Sequence, residues 1–298
     1  MATTIKQSFE DYASNLNVTD KQEESVSTCR GNVVKTLKSE LSLHPQESKL
    51  IGSYDRDTNI RYLAENDVDV MVILHYGKNK EWDNPAGTSA SLNKFKEILS
   101  ASYKDTEMRI DRNCVTMKLS KFSFDVVPAF RLDSGSYKIP DTHRRLWLPT
   151  NPVAFAEKIT AVNKSMGGTF IPLIKMVKGW NRDNAFLIRS FHLECMLYEH
   201  YKTYTKGYTY NSTLNVFFSK LPLFLSGACY DPITGDRLDE YLDSDSQVTK
   251  RQIAVTRASI AAEISKKAEE YEKNYPDNPK YAIDEWKKLL GEFFPVYG

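Results

Sequence analysis

No stretch of this 298-residue chain approaches the roughly 18 consecutive apolar residues that a membrane-crossing helix needs. The N-terminal stretch MATTIKQSFEDYASNL lacks the apolar core of a secretory signal, so no export and no membrane partner are expected. Cysteine is scarce: Cys29, Cys114, Cys195 and Cys229 are scattered and form no CxxC pair. That spacing argues against a disulfide framework and a structural zinc site, and for free thiols in a reducing, cytoplasmic setting. No sign of charge dominates either. A net charge of +1 gives no global basic field to attract nucleic acid, which leaves only a local basic patch for that purpose. No internal repeat or low-complexity tract appears, and 298 residues suffice for one large or two ordinary domains with real cores.

What is there is an ordered set of acids. Gly52-Ser53-Tyr54-Asp55-Arg56-Asp57-Thr58 is followed, after an eight-residue spacer, by Asp67-Val68-Asp69-Val70-Met71-Val72-Ile73-Leu74. On a strand, Asp67 and Asp69 point to one face while Val68, Val70 and Val72 point to the other and are expected to be buried. Two carboxylates side by side at the start of an apolar run repel each other, and a divalent cation resolves the repulsion. Gly52 lets backbone N–H groups approach a phosphate with no Cβ in the way, and Ser53 adds a hydroxyl donor. Arg56 is a candidate phosphate partner, or equally a surface arginine or the partner of a nearby acid. A bare acid-x-acid pair also suits a solvent-facing strand edge, and Gly-Ser an ordinary turn; it is their order along the chain that points to metal-dependent chemistry on a nucleotide.

A third acid, Asp125, stands in the second of two alternating runs. Residues 113–119 and 122–127 are separated by Ser120-Lys121, which predicts a hairpin. Phe122, Phe124 and Val126 should face one way and Ser123, Asp125 and Val127 the other, with Pro128 ending the pairing. If this strand lies beside the Asp67 strand, three acids converge. Such a cluster could hold two Mg²⁺ ions, each also bound by substrate phosphate oxygens.

Around this constellation, residues 21–42 and 91–103 read as amphipathic helices and 78–91 as turn-rich. Residues 131–152, rich in Ser, Gly, Pro and Asp, read as a long connection of functional interest. From Asn151 onward the pattern turns helical, over 152–164, 171–181, 187–204, 212–226 and 246–274. The seam is expected near residue 150.

Taken together, these residues resemble the nucleotidyltransferase superfamily that includes DNA polymerase β. More narrowly, the chain resembles the bacterial CD-NTases, cyclic-oligonucleotide synthases related to animal cyclic GMP–AMP synthase. The likeness rests on GSYDRDT, NDVDVMVIL, FSFDVVPAF, the stretch Tyr137 to Pro152, IKMVKGWN, RSFHLE and YDP, in that order over about residues 50–235. One departure is Asp57, where many relatives carry glycine. The resemblance implies an α+β fold: a polymerase β-like core with a mixed β-sheet and an N-terminal helix over 1–150, a C-terminal helical domain over 151–298, and an active site in the cleft between them. It implies that Asp67 and Asp69 hold both Mg²⁺ ions, with Mn²⁺ as a substitute, and that Asp125 holds the ion that activates the attacking hydroxyl. Gly52 and Ser53 would meet the triphosphate, as would Lys175 and Ser190, and Phe191 would stack on a base. Alternatives stand beside these roles: Lys175 as a solvated lysine with Lys178 in its place, Phe191 as core, His192 as an interior histidine, and Asp231-Pro232 as a turn.

The implied activity is synthesis of a cyclic di- or trinucleotide second messenger from nucleoside triphosphates, ATP first and then GTP or the pyrimidine triphosphates, with release of pyrophosphate. In bacterial anti-phage defence (CBASS) such a product activates a separate effector protein. The terminal Gly298 would suit conjugation by a ubiquitin-like ligase, against the simpler reading of a chain that ends in glycine. No cysteine cluster of the kind that serves the zinc-bearing DNA-sensing insertion of animal relatives is present. The rivals are a terminal RNA or tRNA nucleotidyltransferase, a macromolecule-modifying toxin of the same superfamily, and a non-catalytic nucleotide-binding module.

Overall fold

The computed structural model describes residues 2–65, 67–205, 209–244 and 249–298. Asn66 of the acidic motif and residues 246–248 of the expected 246–274 helix lie outside the described residues. In chain order the elements are α1 (Ile5–Leu16), α2 (Asp20–Lys38), β1 (Leu43–Leu50), α3 (Gly52–Asp55), β2 (Asp67–Leu74), α4 (Tyr76–Asn79), α5 (Gly87–Ser102), β3 (Glu107–Asp111), β4 (Cys114–Lys118), β5 (Ser123–Arg131), β6 (Tyr137–Asp141) and β7 (Leu146–Thr150). The helices α6 (Pro152–Ser165), α7 (Phe170–Asp183), α8 (Ser190–Tyr201), α9 (Tyr210–Ser226), α10 (Lys250–Asn274) and α11 (Lys280–Leu290) follow.

Two compact units result: residues 18–156, and residues through Asn17 together with Glu157–Gly298. One boundary falls inside α6, between Ala156 and Glu157, and α1 groups with the C-terminal helices. The reason is local chemistry. Phe9 packs edge-on against Trp286 and Phe294, with ring centroids 5.1 Å away in each case, and the Tyr12 hydroxyl donates to the Leu290 carbonyl at 3.1 Å. A Cβ on Gly179 of α7 would stand 2.6 Å from the Tyr12 hydroxyl, so the absence of a side chain there is what lets α1 approach.

In the sheet unit, seven strands run in the order β1-β2-β5-β4-β3, with β6 on β5 and β7 on β6. The sheet is mixed: β2 and β5 are parallel, and the other pairs are antiparallel. Val68, Val70, Val72 and Leu74 share one buried core with Phe124, Val126, Val26, Val33, Leu37, Leu92, Phe95 and Leu99. Helices α2 and α5 cover that face. Met71, Ile73 and Ala129 form a separate, smaller core with Tyr137, so the alternation expected of β2 and β5 is realised.

Two expectations are corrected. Pro128 does not end the pairing: β5 runs on to Arg131, and Val72 stands opposite Pro128 in the parallel ladder. On the other edge of β5, β4 is in register through Val126 and β6 from Phe130, so the proline occupies the gap between two partners, where no ladder donor is demanded. Residues 131–152 are not a long connection but contain the hairpin β6–β7. Tertiary contacts hold it: the Trp147 indole donates to the Trp82 carbonyl at 2.8 Å, Lys138 pairs with Asp83 at 2.5 Å, and the fully buried Asp141 accepts from Arg112 at 2.6 Å and from the backbone of His143 and Arg144. The other expected elements form, with α1, β1, α4, β3 and α11 in addition. All four cysteines are free thiols, and among the described residues no helix is long and apolar enough to cross a membrane.

Candidate active site

The parallel register of β2 and β5 places Asp67 opposite Ser123 and Asp69 opposite Asp125. Neighbouring strands lie about 4.8 Å apart. Asp69 and Asp125 are therefore side by side on one face, with Asp67 two residues up the same face, as the alternation required. Among the described residues no three such side chains close into a ready-made ion cage, and mutual repulsion works against that closure.

The electrostatics show the strain of the arrangement. Burial, then the neighbouring Asp125 and Asp67 charges, push the Asp69 carboxyl up to about 7, with the Arg56 guanidinium working against them. Asp125 is also raised, first by burial and further by Asp67 and Asp111, while hydrogen bonds from Thr116 and Cys114 pull it back. Its Oδ1 is buried without a hydrogen-bond partner among the described residues. A buried carboxylate oxygen without a donor, beside two more carboxylates, fits a hard divalent cation such as Mg²⁺, for which Asp67, Asp69 and Asp125 would be the ligands.

The Gly52-Ser53 turn is built onto the same strand. The Ile51 N–H donates to the Asp69 carbonyl at 3.0 Å, so the turn is pinned at the central acid. Gly52 takes φ +68°, and a Cβ there would stand 2.2 Å from Asp69 Oδ2. The glycine is demanded by both backbone and space. Ser53 donates its hydroxyl to Asn59 Oδ1, and its carbonyl accepts from the Thr58 N–H at 3.0 Å and hydroxyl at 3.3 Å. Arg56 stands 5.4 Å over the Phe155 ring, with its charge felt at Asp69. Asp57, the departure from the family pattern, sits at φ +53° in the left-handed region, which explains glycine in relatives and a tolerated aspartate here.

The second set of expected residues lies on the helical unit. Lys175 is buried rather than solvated and donates to Asn17 Oδ1 at 3.0 Å. Lys178 is held in a buried pair with Glu194 at 2.5 Å, so it is not a loose substitute for Lys175. Ser190 opens α8, and Phe191 beside it is half-buried rather than core. His192 is interior, 3.1 Å from the Tyr241 hydroxyl, and Asp231 caps a turn by accepting from the N–H groups of Ile233 and Thr234.

Sequence reasoning missed Thr116 and Asn59. Counting back from the Ser120-Lys121 turn would have set Thr116 opposite Asp125, where the register places it. Together with Glu107, Arg109, Lys118 and Ser123, Thr116 lines a cavity of ≈ 230 Å³ alongside that ladder. Nothing in the local pattern marks Asn59, because its partner is fixed by the fold of the turn.

Residues 3–163 match the model of the Second Messenger Oligonucleotide or Dinucleotide Synthetase domain. The chain belongs to the bacterial CD-NTases. It is thus a nucleotidyltransferase of the cyclic nucleotide synthase class. A cyclic AMP-AMP-AMP synthase from an Acinetobacter species is 28% identical over 320 aligned residues, covering 98% of this chain and 86% of that one. The cyclic AMP-GMP synthase DncV of Vibrio cholerae superposes with a TM-score of 0.73 at 13% identity, covering 99% of this chain and 98% of the other. CdnC of Escherichia coli MS115-1, solved with a HORMA protein, superposes with a TM-score of 0.68 at 16% identity, covering 97% and 98%. These likenesses show the CD-NTase fold: a polymerase β-like core with a mixed sheet, and a C-terminal helical region.

Proposed function

We propose that this CD-NTase makes a cyclic di- or trinucleotide from nucleoside triphosphates at Asp67, Asp69 and Asp125, releasing pyrophosphate. One observation carries the reading: the register sets Asp69 beside Asp125, while the Ile51 N–H ties the Gly52-Ser53 turn to the same Asp69. Carboxylates and a phosphate-binding turn are thereby fixed to one another through the backbone. Two divalent ions held by the three acids would supply activation of a ribose hydroxyl and stabilisation of the departing pyrophosphate.

The chain's own residues do the rest. Asp67, Asp69 and Asp125 orient the reacting groups and keep negative charge where a cation is needed. Gly52 leaves room beside Asp69 for the triphosphate, and Ser53 offers its hydroxyl. Arg56 balances part of the acid charge. Ser190 and Phe191 are proposed as nucleotide contacts on the helical unit, and Lys175 as a buried cation toward phosphate. ATP is the first candidate substrate, since the Acinetobacter relative is named for an all-AMP product.

A role in anti-phage defence, with an effector that reads the product, belongs to the same proposal. So does conjugation at Gly298. Its N–H donates to the Ala2 carbonyl at 3.3 Å, so a ligase would first have to lift the terminus from that bridge. Extending the chain beyond Gly298 should block conjugation and spare synthesis.

The test is mass spectrometry of products formed from all four ribonucleoside triphosphates with Mg²⁺. A phosphatase-resistant cyclic product is expected from the wild type. Asp67→Asn, Asp69→Asn and Asp125→Asn should each reduce it by at least ~10³-fold while leaving the fold intact. Full activity in all three variants would refute the site.

A further inference from the structure

We propose that Asn59 is a positioning residue that decides whether the Ser53 hydroxyl can donate to a phosphate. The inference rests on the reading that Ser53 meets the triphosphate, and it adds a control that no motif in the sequence records.

A serine hydroxyl has a single hydrogen. Here that hydrogen is given to Asn59 Oδ1, so Ser53 turns only lone pairs to anything arriving from the other side. Ionised phosphate oxygens accept and do not donate, so this arrangement repels the ligand it is meant to hold. Ser53 has no freedom to escape by moving its backbone. Its carbonyl is held twice by Thr58, which is fully buried, and the turn is pinned to Asp69 through Ile51.

Asn59 itself provides the way out. The residue is buried, and its Nδ2 has no hydrogen-bond partner among the described residues. An amide terminus has a broad, roughly two-fold torsion. A half-turn brings Nδ2 to Ser53 Oγ as the donor and releases the hydroxyl hydrogen toward the phosphate. The orphaned group then becomes a carbonyl oxygen, which tolerates burial without a partner better than an amino group does. The two amide orientations thus define a resting serine and a phosphate-binding serine. Arrival of a triphosphate favours the second by the charge-assisted hydrogen bond it gains.

The test is a double-mutant cycle read by titration calorimetry with Mg²⁺-tripolyphosphate, a probe that carries no base. Asn59→Asp presents only acceptors and holds the hydroxyl hydrogen permanently. It should weaken binding about tenfold or more, the loss of one charge-assisted hydrogen bond. Ser53→Ala should weaken it to a similar extent. Asn59→Asp placed in the Ser53→Ala background should cause a smaller loss, only that of the added negative charge, because the rest of the Asn59 effect passes through the serine. In turnover with nucleoside triphosphates, the Asn59 effect should fall on KM and not on kcat. Asn59→Leu, which removes the amide and adds no charge, frees the hydroxyl hydrogen; should the aspartate variant not fold, as judged by circular dichroism, the leucine variant should bind the probe at least as tightly as wild type and lose that affinity when Ser53→Ala is added, and a tenfold loss in Asn59→Leu alone would overturn the role. An equal loss from Asn59→Asp in both backgrounds, or no loss from Asn59→Asp alone, would overturn the role of Asn59 while leaving the synthase reading standing. A wild-type protein that neither binds the probe nor forms product would overturn both.

Discussion

At the scale of single residues, the site depends on a methyl group that is not there. Gly52→Ala would force a Cβ to within 2.2 Å of Asp69 Oδ2 at φ +68°, a conformation that costs an L-residue about 1–2 kcal/mol before any clash. The expected outcome is a loss of product of at least ~100-fold, since a displacement of about 1 Å at reacting groups has that effect. Far-ultraviolet circular dichroism should change little. A Gly52→Ala enzyme with wild-type turnover would contradict the close approach of the turn to Asp69. Much at this scale was legible. Strand parity put Asp67 and Asp69 on one face and Val68, Val70 and Val72 on the buried other, and it set Asp125 opposite Phe124 and Val126, with its convergence on the pair left conditional on the two strands being neighbours. Asn59 was not legible, because no periodicity relates it to Ser53; the end of α3 and the turn after it fold back to bring them together.

At the scale of elements, pattern reading succeeded where one periodicity governed and failed where tertiary contacts overrode local preference. The β4–β5 hairpin and helices α2, α5 and α6 to α10 follow from period two or period 3.6. Strand β1 was not evident, since LHPQESKL carries a proline, charges and a residue at φ +54°, Glu47. Strands β6 and β7 each carry a proline, and both persist as a hairpin at the edge of the sheet. Within the helical unit, α7 and α8 are joined by the Lys178–Glu194 pair, 5% and 0% exposed. Lys178→Met would take from the buried Glu194 carboxylate the cation that it pairs with, at an expected cost of about 3–5 kcal/mol in a urea titration. Adding Glu194→Leu should restore most of that loss. A single variant as stable as wild type would mean that the carboxylate already finds sufficient compensation.

At the scale of the whole molecule, the two units should respond to pH in opposite senses. In the helical unit, burial pushes the His192 imidazole down to about 4, with Arg251 lowering it further and Asp239 opposing. Its neutral form is favoured in the folded state, so its contribution is present above pH 6.5 and is lost as pH falls through 4. In the sheet unit, Asp69 is raised to about 7, so its contribution is present below pH 4 and is lost as pH rises through 7. These shifts correspond to about 4 kcal/mol for Asp69 and about 3 kcal/mol for His192. Hydrogen exchange of the metal-free protein, corrected for intrinsic rates, should therefore show β2 and β5 better protected at pH 5 than at pH 8. Helix α8 should show the reverse. Asp69→Asn should weaken the first trend, leaving the part due to Asp125, and His192→Gln the second, leaving the part due to His200. Trends of the same sign in both units would refute the assignment.

The sequence by itself determined the ingredients: three acids at alternating strand positions, a Gly-Ser turn before the first two, and a helical second half, because local periodicity and residue type are written in consecutive positions. Tertiary structure alone decided the rest. It placed β2 parallel to β5 so that Asp69 meets Asp125, drew α1 to the C-terminal helices through Phe9 and Tyr12, buried Lys175, and set Asn59 against Ser53. Each of these joins residues far apart in the chain or across irregular backbone. Packing and hydrogen-bond satisfaction fix such partners, and no local pattern encodes them.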